Sequence, residues 1–320
     1  MNMEINKIYN EPCLETLKKM PNDFLDSVIT SPPYWQLRDY GYEGQWGLEP
    51  TYQEYLQHLW EMMDEIYRVL KPSGTVWINL GDTYSTQSGT NKALAAGKKY
   101  DIDSTYLINR VESENLIKDK SLPSKCLLLI PHRFAIGCIE RGWILRNDII
   151  WAKRNGMPES VTDRFSKKHE YIFFMTKQEK YYFDLDAIRD KHKEVSITRN
   201  KYGLSKYDDK DASRNREFKP GDFLHLKGKN PGDVSDFWDI TTKGSTNEHY
   251  ASYNDELIKK PILAGCPEGG LIYDPFMGTG STAEAALRAN RNFIGSEMSE
   301  KYIDIANKRL NPLLTQQKLF

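Results

Sequence analysis

The stretch LIYDPFMGTGSTAEAALRA, Leu271 to Ala289, sets the narrowest limits on what this chain can fold into. Gly270–Tyr273 reads as a short buried strand. It breaks at once into a Gly-rich turn, Asp274–Thr282, which opens an Ala-rich helix over Ala283–Ala289. Strand, tight turn and helix in direct succession form the unit of an α/β fold with a parallel sheet. Gly278 and Gly280 permit positive φ and close backbone approach, as a bound cofactor needs; a plain strand-to-helix connection would also use them. The turn is not a phosphate-binding P-loop, because no Lys follows its second glycine, and it does not fit GxGxxG. A second strand, Asn292–Ser296, leads to Glu297, about twenty residues past the glycines. A carboxylate there can accept both hydroxyl hydrogens of a ribose, or cap the helix that follows at Lys301–Leu310.

A second strand end is as informative. Asp26–Thr30 carries a β-branched run, Val28-Ile29-Thr30, and stops at Ser31-Pro32-Pro33-Tyr34-Trp35. Two prolines have no N–H to give and cannot continue a ladder, so the strand ends abruptly. In open α/β sheets that C-terminal edge is where ligands bind. Between the two sites the pattern continues: a helix over Thr51–Leu70, a break at Lys71–Gly74, a strand at Thr75–Leu80, and a polar loop over 85–120. A helix follows at Leu127–Arg141, then strands at Trp143–Lys153 and Glu170–Lys177 that read as a long antiparallel hairpin. Short elements are expected at Lys7–Asn10 (strand) and Leu14–Met20 (helix), and a helix at Asn254–Ala264.

Composition narrows the partners. At 320 residues the chain can bury a full core, no apolar run approaches a membrane span, and the amino-terminal MNMEINKIYN has no signal-peptide core, so a cytoplasmic location is expected. The four cysteines form no CxxC pair, which argues against zinc sites and a disulfide framework. The net charge of −1 gives no global attraction to nucleic acid. Residues 191–230 are the exception, with eleven Lys or Arg against six acids, and Tyr202, Tyr207, Phe218 and Phe223 interleaved. Such a segment is either a solvated loop or a surface that tracks a nucleic-acid backbone.

TSPPY and DPFMGTGST together, with RNDIIWAKRNGMPESVTDRFSKKHEYIFF (146–174) and HYASYNDELIKKPILAG (249–265), resemble the β class of amino-methylating DNA methyltransferases. The likeness spans nearly the whole chain, and the order of the motifs matches too: catalytic motif, target-recognition segment, cofactor turn. It implies a circularly permuted, Rossmann-like S-adenosylmethionine-dependent methyltransferase sheet with an antiparallel hairpin and an inserted target-recognition region. The catalytic half would occupy 1–185, the insert 186–247 and the cofactor half 248–320, with Ile8-Tyr9-Asn10 lying beside Phe293-Ile294. Ser31, Pro32, Pro33 and Tyr34 would form the catalytic turn. Asp274, Pro275, Phe276, Gly278, Thr279, Gly280, Ser281, Thr282 and Glu297 would hold S-adenosyl-L-methionine. Lys206, Lys210, Arg214 and Arg216 would meet the phosphates of double-stranded DNA. Arg154, where relatives usually have proline, would add another such contact. Glu11-Pro12 stands where relatives often have Gly-Asp, so the adenine contact of that aspartate would fall instead to Glu11 or the Cys13 backbone.

The chemistry implied is attack by an exocyclic amine whose lone pair is delocalised into its ring. Ser31 Oγ and the Pro32 carbonyl would accept its two hydrogens while the prolines hold that carbonyl rigid, and Tyr34 would stack on a base taken out of the helix. No metal is required, since the leaving sulfide is already good. Ser at the first motif position favours cytosine N4, with adenine N6 as the alternative. A C5-cytosine enzyme is disfavoured because Pro12-Cys13 is followed by Leu14 and preceded by no cofactor turn. A protein-glutamine methyltransferase would carry its cofactor turn first. A DNA-binding protein without activity would leave both strand-end sites unused. A cognate restriction endonuclease, and a monomeric or homodimeric state, stay open at this level.

Overall fold

A computed structural model describes residues 3–85, 122–156, 159–189, 236–241 and 255–317. Eight strands form one sheet: β1 (Lys7–Tyr9), β2 (Leu25–Thr30), β3 (Leu70–Leu80), β4 (Ile144–Ala152), β5 (His169–Thr176), β6 (Phe237–Asp239), β7 (Leu271–Asp274) and β8 (Asn292–Ser296). Their order is β1-β8-β7-β2-β3-β5-β4-β6. Only β5 runs against the rest, pairing antiparallel with both β3 and β4, which is the hairpin expected from sequence. β1 lies parallel to β8 as the permuted order implies, with Ile8 opposite Gly295 and Tyr9 opposite Ser296.

The inner strands alternate between two cores, as the period of two dictates. Val28, Val76, Ile78, Phe173, Met175, Tyr273 and Ile294 pack on one face. They meet α1 (Cys13–Lys19), α2 (Tyr52–Val69) and α3 (Ile130–Glu140). Ile29, Trp77, Ile172, Phe174, Ile272 and Phe293 pack on the other. That face is covered by α4 (Asp255–Gly265), α5 (Ser281–Arg288) and α6 (Glu300–Gln317). α2 is the clearest case of sequence dictating structure. Thr51 caps it by accepting the Glu54 N–H, and Tyr55, Leu59, Met62, Met63 and Ile66 recur at helical spacing as its buried stripe. No helix among the described residues is long and apolar enough to cross a membrane.

Three elements differ from the sequence reading. β3 starts at Leu70, because Leu25 pairs with Leu70 before Ser27 pairs with Thr75, so Lys71–Gly74 bulge out of a strand rather than precede it. α3 starts at Ile130 instead of Leu127, with Leu129 in the left-handed region and Asp82 Oδ1 accepting the Ile130 N–H. α6 passes through Pro312 and ends at Gln317, beyond the Leu310 end expected from sequence. β6, unforeseen, lies within the 186–247 segment and pairs parallel with β4 through Trp238 opposite Trp151. Past Ser85, the expected loop at 85–120 falls outside the described residues.

Candidate active site

Chain order reverses between β7 and β2. From β7 the chain steps outward to β8, and from β2 it steps the other way to β3. That reversal leaves a crevice at the C-terminal ends of adjacent parallel strands, the place where an open α/β sheet takes its ligand. A buried bond ties the two sides at this end: Thr30 Oγ1 donates to Asp274 Oδ1 over 2.6 Å. Asp274 also accepts from Thr282 Oγ1 at 2.6 Å and from the Phe276 N–H at 3.0 Å. Burial raises its pKa above the ordinary carboxylate value, against the pull of these three donors. Its carboxylate is therefore committed inside the protein, where it fixes the turn relative to the SPPY strand.

Thr30→Val keeps the shape and removes this donor. The variant is expected to lose about 1–3 kcal/mol of stability, because a buried carboxylate is left short of a partner. An unchanged midpoint in urea unfolding would show that the link contributes nothing.

The turn itself folds back on β8 and α6. The Met277 N–H donates to Ser296 O at 2.9 Å, and Gly278 and Gly280 sit at φ +53° and +83°. The two glycines face different surroundings. A Cβ on Gly280 would meet Ala306 Cβ at 2.9 Å, so this glycine lets α6 close in. A Cβ on Gly278 would meet nothing nearer than Phe276 O at 4.0 Å, so that side is open. Beside it Glu297 accepts the Gly278 N–H on Oε2 and the Ser299 N–H on Oε1, each at 2.8 Å. Burial raises the pKa of Glu297. Each of its oxygens keeps a further lone pair, so the capping and diol-accepting roles are compatible. Pro275 is buried, Phe276 packs edge-on against Trp46 with centroids 5.3 Å apart, and Thr279 is half-buried. Ser281 Oγ accepts from Arg309 Nη1 at 3.0 Å, so the hydroxyls of Ser281 and Thr282 are both spent within the fold.

Across the crevice, Tyr55 OH donates to Pro33 O at 2.7 Å and steadies the SPPY turn. Among the described residues no donor is directed at the Pro32 carbonyl. Ser31 Oγ donates over a long 3.4 Å to Asn79 Oδ1. The amide of Asn79 is oriented by its own donation from Nδ2 to Tyr171 O at 3.0 Å, which leaves Oδ1 toward Ser31. Tyr34 OH lies 3.2 Å from the same Oδ1 but 2.8 Å from Glu170 Oε2. With one proton to give, Tyr34 donates best to Glu170, and Asn79 is left to Ser31. Glu170 is held on its other oxygen by Lys153 Nζ. Behind the Tyr34 ring stands Gly81, where a Cβ would come within 2.5 Å of Tyr34 Cε2.

The SPPY turn and the Gly-rich turn thus stand at the ends of adjacent strands, joined by the Thr30–Asp274 bond. Arg154 lies apart, exposed at the end of the hairpin strand and paired with Asp239. Lys206, Lys210, Arg214 and Arg216 fall outside the described residues. Sequence reasoning missed Thr30, Asn79, Gly81, Lys153 and Glu170. Asn79 alone left a trace, as a single amide inside the apolar run Val76-Trp77-Ile78-Asn79-Leu80, where a buried polar group needs a reason.

The family model described as DNA methylase, for N6 and N4 enzymes, matches residues 25–308. The Type II methyltransferase M.Cfr9I of Citrobacter freundii is 34% identical over 310 residues, covering 96% of this chain and 89% of that protein. M.SmaI of Serratia marcescens, also a Type II methyltransferase, is 31% identical over 309 residues, covering 97% and 92%. Among solved structures, the PvuII DNA methyltransferase, described as cytosine-N4-specific, superposes with a TM-score of 0.62 at 15% identity, covering 98% of this chain and 93% of that one. M1.HpyAVI, solved as its complex with SAM, superposes with a TM-score of 0.52 at 18% identity, covering 95% and 98%.

Proposed function

The chain belongs to the DNA methylase family matched over residues 25–308, and from that membership we propose that it methylates the exocyclic N4 of a cytosine taken out of duplex DNA. The methyl donor in this reading is S-adenosyl-L-methionine, which supplies an electrophilic methyl on a sulfonium. The chain's residues fit that group: the open side of Gly278 leaves it room, and Glu297 has acceptor capacity for a ribose diol. A companion restriction endonuclease is part of the same reading, since the curated relatives are named Type II methyltransferases.

The observation that carries the mechanism is the Ser31–Asn79 contact. A hydroxyl that gives its proton to Asn79 turns its lone pairs elsewhere, so Ser31 Oγ is an acceptor for one amine hydrogen. The Pro32 carbonyl, free of other donors among the described residues, accepts the second. Held by both, the amine nitrogen pyramidalises and its lone pair leaves conjugation with the ring. The acceptors cost no reorganisation at that moment, because the prolines fix φ and Tyr55 anchors the turn. Tyr34 offers the extruded base a ring that Gly81 supports from behind and Glu170 tethers at its hydroxyl. Cytosine is favoured because serine, not aspartate, opens the motif.

Mass spectrometry of nucleosides from DNA treated with the purified protein and S-adenosylmethionine tests this reading. N4-methylcytosine is expected. N6-methyladenine would reassign the base, and an unmethylated product would overturn the function.

A further inference from the structure

We propose that Phe165 is a wedge that enters the DNA stack beside the target base; this rests on the base-extrusion reading above. Phe165 lies in the connection between β4 and β5 and is 97% exposed, whereas the other large apolar side chains at the described surface expose about half of themselves or less, up to 56% for Ile136. Single half-exposed apolar groups are ordinary, but a whole aromatic ring held in water is not.

Nor does the ring sit on a slack loop. Arg164 donates from Nη1 to Glu159 Oε2 at 2.6 Å and to the carbonyl of Phe165 itself at 3.0 Å. The same guanidinium stacks over the Tyr84 ring, 4.0 Å from its centroid. Asp163 pairs with Lys125 at 2.5 Å, and Lys168 Nζ reaches Gly156 O. The backbone is pinned on both sides of a side chain that the described residues leave uncovered. A stiff scaffold presenting an apolar ring has its ordering cost already met before a partner arrives.

Position points to duplex DNA as the partner. Residues 153–168 hold five cations against two acids; Lys153, Arg154 and Arg164 are paired with Glu170, Asp239 and Glu159, while Lys167 and Lys168 reach backbone carbonyls. Two residues beyond Phe165, Lys167 Nζ bonds to the carbonyl of Asp82, which adjoins the Gly81 that backs Tyr34. The wedge is thus fastened to the base-stacking end of the crevice. A rigidly held apolar ring beside the base-stacking end is what enters a base step and stabilises the gap left by an extruded nucleotide.

The test uses the full chain and a duplex carrying the methylation site mapped by sequencing DNA from cells that express it. Phe165→Ala should lower kcat/KM on the paired duplex by about tenfold or more, the loss of one stacking contact. On the same duplex with an abasic position opposite the target, where extrusion is cheap, it should methylate within about twofold of wild type. Calorimetric affinity for S-adenosylmethionine should be unchanged, and Phe165→Trp should keep most activity on the paired duplex. Wild-type kinetics for Phe165→Ala on the paired duplex would overturn the wedge and leave the ring to a protein partner. So would an equal loss on both duplexes. Failure of the wild-type protein to methylate either duplex would instead sink the reading of its function.

Discussion

A Gly278→Val variant is expected to fold and to lose S-adenosylmethionine binding, with affinity down by about 100-fold or more, roughly 2.7 kcal/mol. The reason is geometric. Gly278 sits at φ +53°, and the position its Cβ would take opens onto space with no atom nearer than 4.0 Å. No protein atom occupies that space, so steric exclusion of a bulky side chain there has to come from a ligand. A branched side chain fills that space and also strains the turn, since β-branched residues rarely tolerate positive φ. Gly278→Ala separates the two effects. It carries the backbone cost of about 1–2 kcal/mol with far less bulk, and should retain measurable binding. Glu297→Ala removes a carboxylate that already accepts two backbone N–H groups, so it should weaken the cofactor by about 1.5–3 kcal/mol and loosen the turn as well. Isothermal titration together with a thermal melt decides the matter. A folded Gly278→Val protein that binds with wild-type affinity would remove the cofactor from this turn.

How much of this was legible beforehand follows from the range of each interaction. α2 and the turn after β7 were readable because cap, apolar period and glycines lie within a few residues of one another. The antiparallel β4–β5 pair was readable from two strand-like runs joined by about sixteen residues. β6 was not, since three residues, Phe237-Trp238-Asp239, carry no period of their own and become a strand only by pairing with β4. Long-range partners were out of reach for the same reason. Thr30 meets Asp274 across 244 positions, and Tyr34 meets Glu170 across 136. Local pattern marks a hydroxyl or a carboxylate as present. Only the sheet order, which sets β2 beside β7 and β3 beside β5, decides what it touches.

Ser31→Ala should bind S-adenosylmethionine as the wild type does, while kcat falls by about 10²–10³-fold, the usual cost of losing one preorganised transition-state partner. Ser31 is only half-buried and lies across the crevice from the turn around Gly278, so its loss leaves the cofactor's contacts alone. An interaction that strengthens as the amine pyramidalises appears in kcat more than in KM. Asn79→Ala acts one step back. It frees the Ser31 proton to point into the crevice, where it would meet the amine as a donor in place of an acceptor. The expected loss is smaller, about tenfold, because the hydroxyl can still rotate into the useful orientation part of the time. The two residues act as a unit, so the double variant should be no slower than Ser31→Ala alone. Rate losses that multiply in the double variant would separate Asn79 from Ser31. Retention of wild-type kcat in Ser31→Ala would take the acceptor role away from the SPPY turn altogether.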